Sequence, residues 1–534
     1  MIRFIDRMIA EISPTWGLNR LRARHMLSTI ENYFGGPSGG YDAGKNNRLT
    51  SQWRPPLLRE NAISAGQLQW LRNRSWDVYR NNCHARKIVR SIESKVIGRG
   101  LTPQSIAEHK DGKAHEPFRR AALELWLSIG GTFDYRGAPG SGGQHLGDLM
   151  RLALRSTILS GEVLYTLRAE SEVWQRKKRS PIPLSLQLID SARLDESKHG
   201  DNEFRGIRVN ERGERIGYWL LNSNGISDMT DSRLHPADAI KHLYMAEDVD
   251  QLRGTPWFAP ALMQMRDTAD YQYNELKASA IAACVVLGIK HPFGSSGFGL
   301  QQDGSTDLED ADGNKITGMQ PGMIVKLDKD GEIQGFNPSR PNTNAEAWIQ
   351  HLLRSTAAGL PGVKSSTVTG DYRNSSFSSE RSSDNDAWPE LEAIQAWFAG
   401  GFCQPIYEQV IEIGVVSGWF DHVEDFTLAD FMARRNDYLA VEWQGPVSRS
   451  INPTDDAKAS IAEIQGFTSS PQIECAKRGR NWREILKQIS EFRTAAQEEQ
   501  IPEEALQQLF NVSVSASLDP PEGSAQESKE AVAV

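Results

Sequence analysis

A helix-rich α+β fold is what this sequence predicts, and three observations predict it. Apolar residues recur at three- and four-residue spacing over Gly66–Val96, Leu146–Leu159 and, at greatest length, Trp257–Lys290, the period of a helix with one buried face. Between the second and third of these stretches, Val163–Leu167, Leu184–Ile189, Gly206–Val209 and Gly217–Leu221 are short β-rich runs parted by turn residues. Helical spacing then returns at Asn344–Gly359. Strands grouped in one block and helices in others is the pattern of an α+β chain rather than of an alternating one.

Taken in order, residues 1–64 mix short helical stretches with Gly- and Pro-rich segments such as Gly35-Gly36-Pro37-Ser38-Gly39-Gly40, and read as an arm that orders against partners. Over Gly66–Val96 the periodic residues are Leu68, Leu71 and Val78, then Ile88, Ile92 and Val96, and Gly98 and Gly100 end the helix. Further helices are expected at Pro117–Leu127 and Leu146–Leu159, with the Gly-rich loop Gly137–Gly143 between them. Asn210-Glu211-Arg212-Gly213 reads as a hairpin turn inside the strand block, which brings residues 65–254 together as one α+β region. The long helix belongs to 255–291 and would extend on the order of 50 Å at about 1.5 Å per residue. Residues 292–342 form an acidic, Gly-rich insertion with one clear strand at Met323–Leu327. A second helix (343–360), a polar loop (361–379) and a helix bent at Pro389 and Pro405 (within 380–460) follow, since proline interrupts the hydrogen-bond ladder. Helices at 461–510 and a Glu/Ser/Ala-rich, disordered tail at 511–534 complete the order.

With 534 residues the chain is long enough for more than one core. Hydrophobic residues at 39% and charged residues at 24% describe an ordinary soluble chain. The net charge of -9 and pI of about 5.8 argue against a surface built to grip nucleic acid, which needs a basic surplus to displace phosphate counterions. Cys83, Cys284, Cys403 and Cys475 are scattered and form no CxxC pair, as in reduced cytosolic proteins. The N-terminus lacks a clean apolar core, and the longest apolar run, Ala280–Ile289, is about half of a membrane span. A cytoplasmic protein without a membrane segment is expected.

Enzymatic signatures fail one after another. Gly137-Ala-Pro-Gly-Ser-Gly-Gly143 has the glycines of a phosphate loop without the following lysine. Asp303, Asp307, Asp310, Asp312 and Gly313 suggest calcium, but with Gly313 at position six of an EF-hand loop the first ligand would be Leu308, which cannot coordinate. Gly294-Ser-Ser-Gly-Phe-Gly299 lacks the order of a nucleophile elbow. No His or Cys pair has metal-ligand spacing, His84, His235, His242 and His291 included. Neither catalysis, a metal nor a cofactor is expected. The basic run Arg176, Lys177, Lys178, Arg179 reads as an exposed hairpin tip between two strands, or as a contact to nucleic acid or an acidic partner.

Several stretches read together resemble one known family. Arg80-Asn-Asn-Cys-His-Ala-Arg-Lys-Ile-Val-Arg with Val96-Ile-Gly-Arg-Gly-Leu101, then Ser160-Gly-Glu-Val-Leu-Tyr165 with Leu186-Gln-Leu-Ile-Asp-Ser-Ala-Arg-Leu194, are followed by His235-Pro-Ala-Asp-Ala-Ile-Lys-His242 and Leu252-Arg-Gly-Thr-Pro-Trp257. Ala357-Ala-Gly-Leu-Pro-Gly362 with Asp371-Tyr-Arg-Asn-Ser-Ser-Phe-Ser-Ser-Glu-Arg381, and Glu474-Cys-Ala-Lys-Arg-Gly-Arg-Asn-Trp-Arg-Glu484, complete the series. Their order over Arg72–Arg493 resembles the lambda-type portal proteins of tailed bacteriophages. The family's usual Arg-Pro-Gly-Gln before the long helix is here Asp248-Val-Asp-Gln251.

The resemblance implies a dodecameric ring at one capsid vertex, assembled in the host cytoplasm, through which double-stranded DNA is packaged and ejected. It implies a portal fold: an α/β wing, paired stem helices, an inserted clip and a helical crown. The wing is then 65–254, the stem pair 255–291 and 343–360, the clip 292–342, the tunnel loop 361–379, the kinked wing helix 380–460 and the crown 461–510. Implied partners are the terminase large subunit, the major capsid protein and head-completion or tail adaptor proteins, the docking partners meeting the acidic clip residues Asp307, Glu309, Asp310 and Asp312. Asp267, Asp270, Asn274 and Lys277 fall on one helical stripe and are assigned to the tunnel wall, where an acid-leaning surface would let a duplex slide; an outer solvated stripe is the alternative. Small residues at Ala278, Ala280, Ala282 and Ala283 would let neighbouring helices approach. Lys364, Tyr372, Arg373 and Asn374 are candidates for DNA backbone contact without base reading. Two rivals remain: a ring ATPase packaging motor, which would need the missing phosphate loop, and a generic nucleic-acid-binding module, which would need a basic surface.

Overall fold

The computed structural model describes residues 65–223, 229–284, 288–290, 332–334, 344–373, 376–448, 453–478, 482–499 and 501–502, with a few single positions besides. The N-terminal arm, the tail from 511 and most of the acidic insertion, including the strand expected at Met323–Leu327, lie outside the described residues.

The chain enters through α1 (Ala65–Asn81) and α2 (Cys83–Val96). One helix is expected here; two are found, because Asn82 leaves the helical region (φ -109°, ψ 121°) and its side chain accepts hydrogen bonds from the backbone N–H groups of His84 and Ala85. A side-chain acceptor at that position satisfies donors that the next helix leaves orphaned. Asn82→Ala should therefore lower the unfolding free energy by about 1 kcal/mol, and Asn82→Asp should restore most of it, as read by thermal denaturation. Ala85, Ile88, Val89, Ile92 and Val96 form the buried face of α2, and its buried Glu93 pairs with Arg155 (2.6 Å).

After β1 (Thr102–Ser105) come α3 (Glu116–Ile129) and α4 (Leu146–Ser160). Phe118 of α3 anchors an aromatic cluster with Phe420 (4.9 Å between ring centroids), Tyr438 (4.8 Å) and Phe426 (5.5 Å), so that segments three hundred residues apart share one core.

The expected strand block is present as two antiparallel sheets. In one, β2 (Glu162–Ala169) lies between β3 (Leu184–Ile189) and β8 (Lys241–Tyr244). The other is a meander of β4 (Glu203–Phe204), β5 (Ile207–Val209), β6 (Arg215–Ser223) and β7 (Met229–Pro236). The turn at Asn210–Gly213 joins β5 and β6 as expected, with the Asn210 side chain accepting from the N–H groups of Arg212 and Glu214. Arg176–Arg179 lie in the connection between the antiparallel strands β2 and β3, as the hairpin reading expects, but the connection is not a simple turn. Residues Glu172–Lys178 form a short helix, α5, capped by Ser171, and Arg179 turns into the left-handed region to end it. Glu172 at its start and the cationic run at its end suit the helix dipole.

The long helix is shorter than its periodicity suggests: α6 spans Leu262–Cys284, 23 residues or about 35 Å. Pro256–Ala261 make tight turns instead, with Trp257 and Phe258 buried as anchors below the helix. Beyond it β9 (Gly288–Lys290) pairs antiparallel with β10 (Glu332–Gln334), and α7 (Ala345–Ala358) returns alongside α6. A hydrogen bond from Gln264 Nε2 to Ser355 Oγ (2.8 Å) joins the start of α6 to the end of α7, so the two rods run in opposite directions. Residues 361–379 are not a plain loop. They contain a helical turn, α8 (Ser365–Thr369), and the start of α9 (Phe377–Phe398). Pro389 lies inside α9, which continues through it for nine more residues; the long helix breaks instead at a π-turn, Ala399–Cys403, just before Pro405 at the start of α10 (Gln404–Val416). Short helices α11 (Leu428–Ala433) and α12 (Arg435–Leu439) lead to β11 (Val441–Gln444), which pairs with β1. Helices α13 (Pro453–Gln465), α14 (Pro471–Lys477) and α15 (Trp482–Glu498) close the described chain, and Arg483 ties α15 to Glu116 of α3 (2.6 Å).

Candidate functional site at the root and faces of the helix pair

Glu162, the first residue of β2, is fully buried. A lone carboxylate there would be costly, and the chain surrounds it with donors. Arg72 Nη2 (2.7 Å), Arg253 Nη2 (2.7 Å), the Gly254 N–H (2.8 Å) and His242 Nε2 (3.0 Å) all donate to it. Because a carboxylate only accepts, His242 holds its proton on Nε2. Glu196 contacts the same two arginines at 3.2 and 3.3 Å, so two carboxylates balance two guanidinium groups. Burial alone would raise the Glu162 pKa, but Arg253, Arg72 and His242 outweigh it and hold the carboxyl well below its ordinary value. Burial lowers the His242 pKa and keeps the ring neutral. A cavity of about 590 Å³, lined by Arg72, Trp76, Ser191 and Glu196 among others, opens beside the cluster.

Close backbone packing completes this root. Gly161, with φ +86°, ends α4, and a Cβ built on Gly254 would stand 2.1 Å from its carbonyl oxygen. Arg72 also donates to Ser160 O (2.9 Å), and Trp76 Nε1 to Ser160 Oγ (2.9 Å). Just upstream, Gln251 Oε1 accepts from the N–H groups of Glu247 and Asp248, closing the turn that carries the departure from Arg-Pro-Gly-Gln. Asp250 stands where that pattern has glycine and takes φ +63°. Asp is among the few residues that tolerate this region, so the backbone is kept although the letters change. The Ser-Gly-Glu, His242 and Arg-Gly-Thr-Pro-Trp stretches thus meet at one ion cluster beneath α6. Sequence reasoning noticed each as a signature and missed the cluster. The available signal was a single acid directly before the apolar run Val163-Leu-Tyr.

Above the root, Asp267, Asp270, Asn274 and Lys277 are all exposed, on the side of α6 opposite the buried Leu262, Met265 and Thr268. Arg266 reaches Asp270 at 3.6 Å, and Lys277 lies over the Tyr273 ring at 4.4 Å. Ala280 is exposed and Ala278 half-buried; the side chains of Ala282 and Ala283 lie outside the described residues.

The segment after α7 is held at both ends. Lys364, 9% exposed, bridges Glu380 (3.0 Å) and Asp384 (2.7 Å) of α9. Burial works against its charge, yet the two carboxylates hold its pKa above the ordinary value. Val368 of α8 is buried, and its carbonyl accepts from His84 Nδ1 (2.9 Å). Tyr372 and Arg373 are exposed, Arg373 beside Asp371 (2.8 Å) and Glu346 of α7. Structure therefore brings Tyr372 and Arg373 to the surface and turns Lys364 inward. Asn374 and the acidic residues Asp307, Glu309, Asp310 and Asp312 lie outside the described residues. In the basic run, Lys178 Nζ is turned onto the Asp134 carbonyl and stacks on Trp174. Among the described residues no group of three His, Cys, Asp or Glu side chains is placed to hold a metal, and no helix is long and apolar enough to cross a membrane.

Buried charge here fastens distant chain segments to one another at the foot of the paired helices α6 and α7. The family model for lambda-family phage portal proteins matches residues 46–395, well over half of the chain. The probable portal protein of Halomonas phage phiHAP-1 is 24% identical over 480 residues, covering 84% of this chain and 85% of its own. Portal protein B of Escherichia phage lambda is 22% identical over 303 residues, covering 53% of this chain and 56% of its own. A chain from the neck of an empty gene transfer agent particle superposes with a TM-score of 0.39 at 14% identity, covering 61% of this chain and 81% of that one. The chain belongs to the lambda family of phage portal proteins and is a structural subunit of a phage head.

Proposed function

We propose that twelve copies form a ring at one vertex of the virion, each lending α6 and α7 to the wall of a channel through which double-stranded DNA enters and leaves. One observation carries the reading. Two antiparallel rods rise from a charge-locked root, and β9, which follows α6, pairs with β10, which precedes α7. A single face of such rods must remain polar if a duplex is to pass, and Asp267, Asp270, Asn274 and Lys277 supply it. Their acid-leaning charge repels phosphates and favours sliding over adhesion.

In this reading 65–254 is the wing, 255–291 and 343–360 the stem, 292–342 the clip, 361–379 the tunnel loop, 380–460 the kinked wing helix with its return, and 461–510 the crown. The clip meets the terminase large subunit during packaging and head-completion or tail adaptor proteins afterwards, the charge of Asp307, Glu309, Asp310 and Asp312 steering association. The wing faces the major capsid protein, and Tyr372 and Arg373 touch the DNA backbone. Negative-stain imaging and native mass measurement of the purified chain test the ring. A channelled particle of about 0.7 MDa, twelve times the chain mass of 59.6 kDa, is expected. Compact monomers under every assembly condition, with or without other head proteins, would overturn it.

A further inference from the structure

We propose that Arg373 is held in reserve by a carboxylate latch and is handed to a DNA phosphate when a duplex arrives; this rests on the loop's proposed contact with DNA. The segment 362–373 is fastened by two unlike devices. Its near half is an anchor, because Gly362 N–H donates to Glu390, Lys364 is sunk between Glu380 and Asp384, Ser366 Oγ donates to Glu380 (3.2 Å), and Val368 is buried. Its far half is a latch exposed to water. Asp371 accepts from Gln350 Nε2 of α7 (3.0 Å) and from the Arg373 guanidinium at Nε (3.0 Å) and Nη2 (2.8 Å), while Arg373 also reaches Glu346. The Arg373 and Glu346 side chains are 71% and 69% exposed.

Between anchor and latch stands Gly370 at φ +68°, with no atom within 4 Å of the place a Cβ would take. Gly370, the left-handed cap of α8, thus separates the seated turn from the exposed latch. Ion pairs in water are weak and yield to competing charge. A phosphate offers Arg373 the same bidentate recognition that Asp371 provides, and Asp371, 18% exposed, keeps its hydrogen bond from Gln350 when the arginine turns away. Lys364, 9% exposed against 71% for Arg373, is the less available of the two cations.

The test titrates a fluorescent duplex against the assembled full-length protein at low salt, by anisotropy. Glu346→Gln weakens the latch and should tighten binding about two- to fivefold, the range an exposed ion pair commands. Arg373→Ala should weaken binding, and in the double variant the gain from Glu346→Gln should vanish. Asp270→Asn removes a carboxylate away from the latch and measures the general effect of lost negative charge, which must survive in the Arg373→Ala background. A Glu346→Gln gain that persists without Arg373 overturns the latch. So does a weakened Arg373→Ala protein whose Glu346→Gln counterpart binds like wild type, and there the loop's contact with DNA still stands. If Arg373→Ala and Tyr372→Ala both bind like wild type, the latch and the contact it serves fail together.

Discussion

Glu162→Ala should destabilise the folded chain by about 3–5 kcal/mol, the cost of leaving buried guanidinium groups without their counter-charge. Arg72 and Arg253 would keep their bonds to the Ser160 and Arg205 carbonyls, but their contacting counter-charge would be Glu196 alone, which is partly open to solvent and 3.2–3.3 Å away. Glu162→Gln keeps an acceptor but not the charge and should fall between. The cause is checked by removing charge in balance: Arg253→Met together with Glu162→Leu should recover a substantial part of the loss, because an apolar pair of similar volume can replace a buried ion pair. Denaturant unfolding of the purified chain reads all three. A Glu162→Ala midpoint equal to wild type would show that the cluster contributes nothing to stability.

The same cluster sets a pH dependence with a definite sign. Glu162 has its pKa depressed in the folded chain, so its contribution is complete above its ordinary value of 4.5 and is lost as pH falls from there through the folded value. His242 is also depressed, from 6.5, so the unfolded chain takes up a proton first and stability begins to decline below about pH 6.5. Both effects make acid destabilising, in two successive windows. Glu162→Gln should abolish the lower one.

Gly254→Ala is expected to cost about 3 kcal/mol or more, at the upper end for overpacking, and to deplete soluble protein. The new methyl group would lie 2.1 Å from the Gly161 carbonyl oxygen, 2.6 Å from its carbon and 2.8 Å from the Tyr244 Cβ. Most of these atoms are backbone, and Gly161 cannot yield freely because its own Cβ position is 2.5 Å from Gly254 and its φ is +86°. Gly131→Ala, where a Cβ would meet nothing within 4 Å, is the matched control. Equal melting temperatures for the two variants would refute the close approach of α4 to the segment leading into α6.

Much of the fold was legible because its signals are local. The apolar spacing of Ile88, Ile92 and Val96 and the turn at Asn210–Gly213 each depend on neighbours within a few residues. Where expectation and structure part, a local competitor had been underweighted. Asn82 captures two N–H groups and splits α1 from α2, Trp257–Ala261 fold into turns beneath α6, and Arg176–Lys178 join a helix that Ser171 caps. Of the site residues, the stripe on α6 could be placed from helical spacing alone, and all four members emerge on one exposed side. The inward turn of Lys364 could not be foreseen, because Glu380 and Asp384 become its neighbours only when α9 packs against the loop.

By itself the sequence determined the order of helices and strands, the polar stripe, the missing catalytic signatures and the family, since each is written in residue types at short separations or in motifs kept in order. Only the tertiary structure decided what the motifs do. Arg72 and Gly254 are 182 residues apart in the chain, yet both reach the Glu162 carboxylate. A charge can be buried only where several distant segments converge to solvate it, and no spacing rule along the chain announces that convergence.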